Sequence, residues 1–174
     1  MATSELPIGL DRAQHLERGH HSAVPRRIGL AILTLICLLG LANLFGQLTT
    51  VSHADAEAAT LTVDSPLHMR GGVIFTSQVT VSAHRRLDDL RVEFSDGWFR
   101  GMTYNGIAPQ ANNENSSADG VTFDYGALDA GQSFPIWISW QVNPTNIGIR
   151  SERVTVKDGS TDLVSLQRDR WVFP

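Results

Sequence analysis

Hydrophobic residues follow two different rules along this chain. From Ile28 to Gly46 they form one continuous run, IGLAILTLICLLGLANLFG, which has no charge and only Thr34 and Asn43 as polar members. A helix rising about 1.5 Å per residue over that length matches the apolar core of a bilayer. Beyond Thr60 the run gives way to alternation at period two. Between Val73 and Ala83 the odd positions Val73, Phe75, Ser77, Val79, Val81 and Ala83 are mostly apolar, while Thr76, Gln78, Thr80 and Ser82 point the other way. Leu90, Val92 and Phe94 alternate with Arg91, Glu93 and Ser95, and Val121, Phe123 and Tyr125 with Thr122 and Asp124. Phe134, Ile136, Ile138, Trp140 and Val142 form a comb opposed by Pro135, Trp137, Ser139 and Gln141. The polar alternate marks half-buried antiparallel strands, because a parallel strand covered on both faces would lack it.

Leu61-Thr62-Val63, Val154-Thr155-Val156 and a last stretch from Leu163 toward Phe173 bring the strand candidates to seven, with turn signals between them at Gly71-Gly72, Asp96-Gly97, Asp119-Gly120, Gly131, Asn143-Pro144 and Asp158-Gly159. Lys157-Asp158-Gly159-Ser160 carries the Asp-Gly pair of a two-residue primed hairpin. No segment after Thr60 shows a helical stripe. The expected fold is all-β: an immunoglobulin-like antiparallel β-sandwich of about seven strands, preceded by one transmembrane helix, with a Greek-key barrel as the alternative. Residues 1–27, mixed in charge and poor in apolar mass, read as a disordered cytoplasmic tail. Residues 28–46 read as the transmembrane helix, 47–59 as a tether, and 60–174 as an extracytoplasmic domain.

Orientation follows from the arginines. Arg12, Arg18, Arg26 and Arg27 precede the apolar run, and no Lys or Arg follows until Arg70. The positive-inside bias places the N-terminus in the cytoplasm and the C-terminal domain outside, on a single-pass protein of the cell membrane. The rival reading is a cleaved secretory signal ending at Ala54-Asp55-Ala56, although its apolar run and n-region are both longer than such signals use. Pro25 stands where a twin-arginine signal would carry Ser or Thr. Cys37, mid-helix, reads as a small hydrophobe. Ala42, Asn43 and Gly46 give a small-xxx-small spacing with an amide inside it, a candidate surface for helix packing.

The chemistry available beyond the helix is sparse. With 14 Lys+Arg against 18 Asp+Glu the chain carries a net charge of -4, which argues against nucleic acid as a partner. The single cysteine excludes an intrachain disulfide framework. No Gly-x-Ser-x-Gly elbow, phosphate loop or His-Glu-x-x-His occurs, and the carboxylates at Asp88-Asp89, Asp96, Asp119, Asp129 and Asp158 sit at turns, where Asp bonds its own backbone. His15, His20 and His21 in the tail, and His68-Met69, His84 and Met102 beyond it, lack recognisable ligand spacing. The Asn112 to Asp119 stretch lacks the acidic ladder of a calcium loop and reads as a solvated connection. The expectation is no catalytic residue, no metal site and no cofactor: a protein that is not an enzyme.

Leu128-Asp129-Ala130-Gly131-Gln132-Ser133, the strand from Phe134 to Val142, and Asn143-Pro144-Thr145-Asn146-Ile147-Gly148 together resemble a bacterial immunoglobulin-like repeat over the last third of the chain. The resemblance implies binding, spacing or adhesion at a cell surface and brings no catalytic residues. Aromatic residues supply the candidate contact surface. Trp140 shares parity with Ile136 and Ile138 and belongs to the core, whereas Trp137 has the opposite parity. With Trp98, Phe99, Tyr104, Trp171 and Phe173 it is expected to form an exposed patch of the kind enriched at interfaces, with the long Asp96 to Gly120 connection as its natural cover. The expected function is a membrane-anchored extracytoplasmic binding or assembly module, bound to the bilayer and to a membrane or envelope protein partner. A cleaved, secreted carbohydrate- or envelope-binding module is the alternative, and extracytoplasmic metal handling a third.

Overall fold

A computed structural model describes residues 23–42 and 48–174. The chain divides into two compact units, Met1–Phe45 and Gly46–Pro174.

In the first unit, helix α1 spans Ala23–Leu41. Its window Val24–Leu41 has a mean hydropathy of 1.8 and is long and apolar enough to cross a membrane. The helix begins before the expected Ile28, taking in Pro25, Arg26 and Arg27, which the sequence assigns to the tail. Pro is tolerated there because a first-turn N–H has no intrahelical partner to lose and its fixed φ is already helical. The rest of the tail, residues 1–22, and the end of the expected span at residues 43–46 lie outside the described residues.

The second unit holds eleven strands: β1 (Thr49–Asp55), β2 (Ala59–Pro66), β3 (His68–Arg70), β4 (Ile74–Ala83), β5 (Leu87–Ser95), β6 (Met102–Ala108), β7 (Asn113–Ser117), β8 (Gly120–Leu128), β9 (Ser133–Val142), β10 (Gly148–Asp158) and β11 (Thr161–Phe173). They form a five-stranded sheet in the order β1-β2-β4-β9-β6 and a six-stranded sheet in the order β3-β11-β10-β5-β8-β7. Every pairing is antiparallel except the short one of β3 with β11. The chain changes sheet after β2, β3, β4, β5, β6, β8 and β9. Two separate sheets make this an immunoglobulin-like sandwich and not a barrel.

The core lies between the sheets and is built from the parities read in the sequence. Leu61, Val79, Val81, Ile136, Ile138 and Trp140 of one sheet meet Val92, Phe94, Phe123, Val154 and Val156 of the other, all buried. Each such side chain contributes roughly 1.5–3 kcal/mol of transfer free energy.

The seven strands legible in the sequence are β2, β4, β5, β8, β9, β10 and β11. The other four, β1, β3, β6 and β7, are the edges of the two sheets. This corrects the tether at 47–59: β1 pairs with β2 from Thr49↔Pro66 to Asp55↔Thr60, so the folded unit begins well before Thr60. The β-branched Thr49, Thr50 and Val51 suit an extended backbone. The Asn112 to Asp119 stretch is likewise no loose connection, since β7 pairs along β8 with all five of its residues exposed. The β10–β11 turn is displaced by one residue from the expected one. Asp158 pairs with Thr161, which leaves Gly159 at the first central position with φ of 61°. Asp158 instead accepts the backbone N–H groups of Asp88 and Asp89, both at 3.0 Å, tying this turn to the start of β5.

The Asp96 to Gly120 connection holds a 3-10 turn at Asp96–Trp98 and the strands β6 and β7. A Cβ at Gly97 would stand 1.9 Å from the Ser151 carbonyl oxygen. Only glycine permits this turn to sit against β10, and the contact swings Trp98 into the core.

Candidate functional site

Within the sandwich the aromatic residues are sorted by strand parity and by the Gly97 turn. Trp98 is 0% exposed. Its indole stacks on Trp140 with centroids 5.6 Å apart. Phe99 and Tyr104 are half-buried and lean on the same Trp140 ring at 5.3 Å and 5.8 Å. The expected patch of Trp98, Phe99, Tyr104, Trp137 and Trp171 therefore does not exist as one surface. Three of its members belong to the core or its margin. Sequence reading placed Trp98 on the surface because nothing in a single chain shows which neighbour a turn rests on.

The remaining two stand on opposite sheets. Trp171 is 51% exposed on β11, in register with Ile149 and with its ring edge-on to His68 at 6.0 Å. Trp137 is 43% exposed on β9, one strand in from the edge of the five-stranded sheet. The long connection does not cover it. Instead β6 lies beside β9 in the same sheet, with Ala108 opposite Trp137.

The surroundings of Trp137 are set by register. Outward positions on β4 and β9 pair Ile74 with Gln141, Thr76 with Ser139, Gln78 with Trp137, Thr80 with Pro135, and Ser82 with Ser133. None of these ten side chains is ionisable. The Gln78 amide reaches the Thr80 hydroxyl at 3.4 Å, and the Ser82 and Ser133 hydroxyls are 2.8 Å apart. On the neighbouring β2, Thr62 stands opposite Thr80 and Asp64 opposite Gln78.

The outer face of the six-stranded sheet has the contrary character. Arg91 pairs with Asp89 at 2.6 Å and lies 3.9 Å from Asp124, and Lys157 bridges Glu93 at 2.6 Å and Asp162 at 3.2 Å. An open cleft of about 700 Å³ lies over this sheet, lined among others by Ser95, Arg100, Asp119, Arg153 and Gln167. A second of about 400 Å³ is lined among others by Arg91, Glu114, Asp124 and Lys157. Asp96 pairs with Arg100 in the first and Arg91 with Asp124 in the second, whereas Asp119, Arg153 and Glu114 form no ion pair among the described residues.

One cluster was not read from the sequence at all. Glu152, Arg168 and Arg170 lie buried between the sheets. Arg170 meets the Glu152 carboxylate at 2.5 Å and donates to the Pro66 carbonyl and the Ser65 hydroxyl, each at 3.3 Å. Arg168 reaches Glu152 at 3.4 Å. Both guanidinium groups lie against the Trp98 ring, at 5.0 Å and 4.8 Å from its centroid. Burial pushes the Glu152 carboxyl upward although two cations draw it back, and lowers both guanidinium groups. The signal was present: Arg168 and Arg170 share parity with Val164 and Val172, and Glu152 with Val154 and Val156. Parity alone does not reveal it, because Arg and Glu in an alternating strand ordinarily mark the wet face.

The other candidates fall apart in space. His84 bonds the Thr60 hydroxyl at 3.0 Å, His68 lies against Trp171, and Met69 is buried. Among the described residues no three of His, Cys, Asp and Glu converge. Ala42 is exposed just past α1, its N–H bonded to the Leu38 carbonyl at 2.9 Å. Asn43 and Gly46 lie outside the described residues.

No protein-family model and no curated protein matches the sequence. Among solved structures the chain is similar to the CARDB domain of a Pyrococcus furiosus protein in complex with di-metal ions (14% identity, TM-score 0.43, covering 70% of this chain and 95% of that one). It is similar to the third cohesin ScaC in complex with the ScaB dockerin from Acetivibrio cellulolyticus (11%, TM-score 0.41, 62% and 94%). A non-cellulosomal cohesin from Archaeoglobus fulgidus is a further neighbour (9%, TM-score 0.38, 72% and 91%). Likenesses this distant do not bear on what the chain does.

Proposed function

We propose that the chain is an extracytoplasmic binding module, anchored by α1 with its N-terminus in the cytoplasm, and that its contact surface is the outer face of the five-stranded sheet around Trp137. The observation that carries this reading is a large aromatic left 43% exposed inside the sheet, on a face whose neighbours make no demand for it. Exposed tryptophan is enriched at contact surfaces because it offers a large apolar area at little conformational cost. Catalysis is not part of the proposal. The buried set of ionisable groups, Glu152 with Arg168 and Arg170, is sealed between the sheets, and the surface carboxylates Asp88, Asp89, Asp124, Asp129 and Asp158 are taken up in ion pairs with Arg85, Arg86 and Arg91.

An anchor is favoured over a cleaved signal by β1. A cut after Ala56 would remove that entire strand and bare the β2 edge it covers. Mature protein is accordingly expected to retain residues 1–56, which N-terminal sequencing checks. Orientation has its own test. In a Cys37→Ala background carrying Ser4→Cys, a membrane-impermeant thiol reagent is expected to leave intact cells unlabelled, and a reporter active only outside the cytoplasm to work when fused after Pro174. Labelling of the Ser4→Cys thiol in intact cells reverses the topology.

The contact surface is tested by rebinding. Detergent-extracted full chain is expected to rebind washed envelope material. Trp137→Ala, folded as judged by circular dichroism, should lower the retained fraction at least several-fold, whereas Asp88→Ala should leave it unchanged. Equal retention of all three proteins removes the Trp137 face from the proposal.

A further inference from the structure

Resting on the reading above, we infer that the occupant of the Trp137 face is an uncharged polysaccharide. Five cross-strand rows on β4 and β9, each about 6.8 Å from the next along the strands, make a strip about 27 Å long, room for several sugar rings in succession. Trp137 stands at its middle, opposite Gln78, and Thr76, Thr80, Ser82, Ser139 and Gln141 present hydroxyl and amide groups on either side.

The chemistry of that strip selects its ligand. A pyranose ring has an apolar C–H face, which lies flat on an indole, and a rim of hydroxyls that both donate and accept. Ser and Thr hydroxyls and the Gln amides do the same, so each polar group on one side finds a complement on the other. A polyanion would need Lys or Arg, and β4 and β9 carry none at their outward positions. A cationic partner would need clustered carboxylates, and the same rows continued across β2 and β1 supply Asp64 beside Gln78 and, two rows away, Asp55, which accepts the Thr60 hydroxyl at 2.6 Å. A protein partner would need an apolar centre of several large side chains with charged groups around it. Here one tryptophan stands among hydroxyls, with Ile74 at the far end of the strip. The opposite sheet, crossed by Arg91–Asp89 and Lys157–Glu93 pairs, has none of this neutrality.

Affinity electrophoresis tests the inference. Detergent-extracted full chain is run through native gels containing hydroxyethyl cellulose, a soluble (1,3)-β-glucan, soluble starch or a galactomannan, with alginate as the polyanion. Retardation is expected in at least one neutral gel and not in alginate. Trp137→Ala should weaken the apparent affinity at least about tenfold and Gln78→Ala several-fold, with Trp137→Tyr intermediate and Trp171→Ala on the other sheet without effect. If Trp137→Ala does not fold, Gln78→Ala and Trp137→Tyr carry the test.

Unchanged migration in all four neutral gels overturns the inference, as does retardation that Trp137→Ala and Gln78→Ala leave intact. Loss of envelope rebinding in Trp137→Ala without retardation in any neutral gel identifies the face as a contact surface for a protein: the inference fails and the proposed function stands. If Trp137→Ala alters neither measurement, both fail.

Discussion

Glu152→Ala is expected to cost the sandwich about 3–5 kcal/mol, a large share of the roughly 5–15 kcal/mol that holds an ordinary domain folded. The substitution removes the one anion from a buried set of three charges. Arg170 would keep the Ser65 hydroxyl and the Pro66 carbonyl, and Arg168 would keep the face of Trp98. Neither arrangement neutralises a guanidinium deprived of water. The companion variant separates charge from packing: Glu152→Leu, Arg168→Met and Arg170→Met together replace the whole cluster by apolar side chains of similar reach. Such replacements are often neutral or stabilising, because the pairing of a buried triad does not fully offset its desolvation. The triple variant should therefore unfold at a denaturant midpoint near or above that of the natural protein, while Glu152→Ala unfolds far below it. A triple variant as damaged as the single one would mean that the ionic geometry itself holds the sheets in register.

Val81→Asp should abolish folding, and Thr80→Asp, one residue away, should be tolerated within about 1 kcal/mol. Val81 is buried between Leu61 and Phe134, its register partners on β2 and β9. A carboxylate there has no hydrogen-bond donor to meet and loses several kcal/mol of hydration. Thr80 faces outward between Thr62 and Pro135, where an added charge stays wet. Circular dichroism and chemical unfolding of the two variants read the difference directly. Equal damage would reject the assignment of faces on β4.

Legibility in the sequence tracked position within each sheet. The strands read from alternation are those with a neighbour on both sides. There the inward face is fully covered, and a polar residue at an inward position is costly, so the pattern is strict. At an edge the constraint loosens. β7 is Asn-Glu-Asn-Ser-Ser and β3 is three residues long, and neither carries a hydrophobic period for a reader to find. β6 is interrupted by a bulge between Tyr104 and Gly106, which breaks whatever period it has. The parity rule also gave Trp137 and Trp140 their opposite faces. It could not gather distant aromatics into a surface, since Trp98 is turned inward by the contact of Gly97 with β10. Nor did it reveal the Glu152 cluster, because parity states which way a side chain points and not whether a charge there has found a countercharge on another strand.

The composition of β7 has a consequence for how the protein behaves in numbers. An edge strand presents a row of unsatisfied backbone N–H and C=O groups, and a second molecule can extend the sheet by laying its own edge alongside. Five exposed residues of low β-propensity, one of them a glutamate, make a poor template for such growth. At the opposite end of the same sheet β3 covers only Trp171, Val172 and Phe173 of β11, so the β11 edge from Thr161 to Arg170 has no strand beside it and carries the exposed charges of Asp162 and Asp169. The six-stranded sheet is thus guarded against strand addition at its β7 end, and any growth by a second molecule is confined to the β11 edge, where it must accommodate two carboxylates.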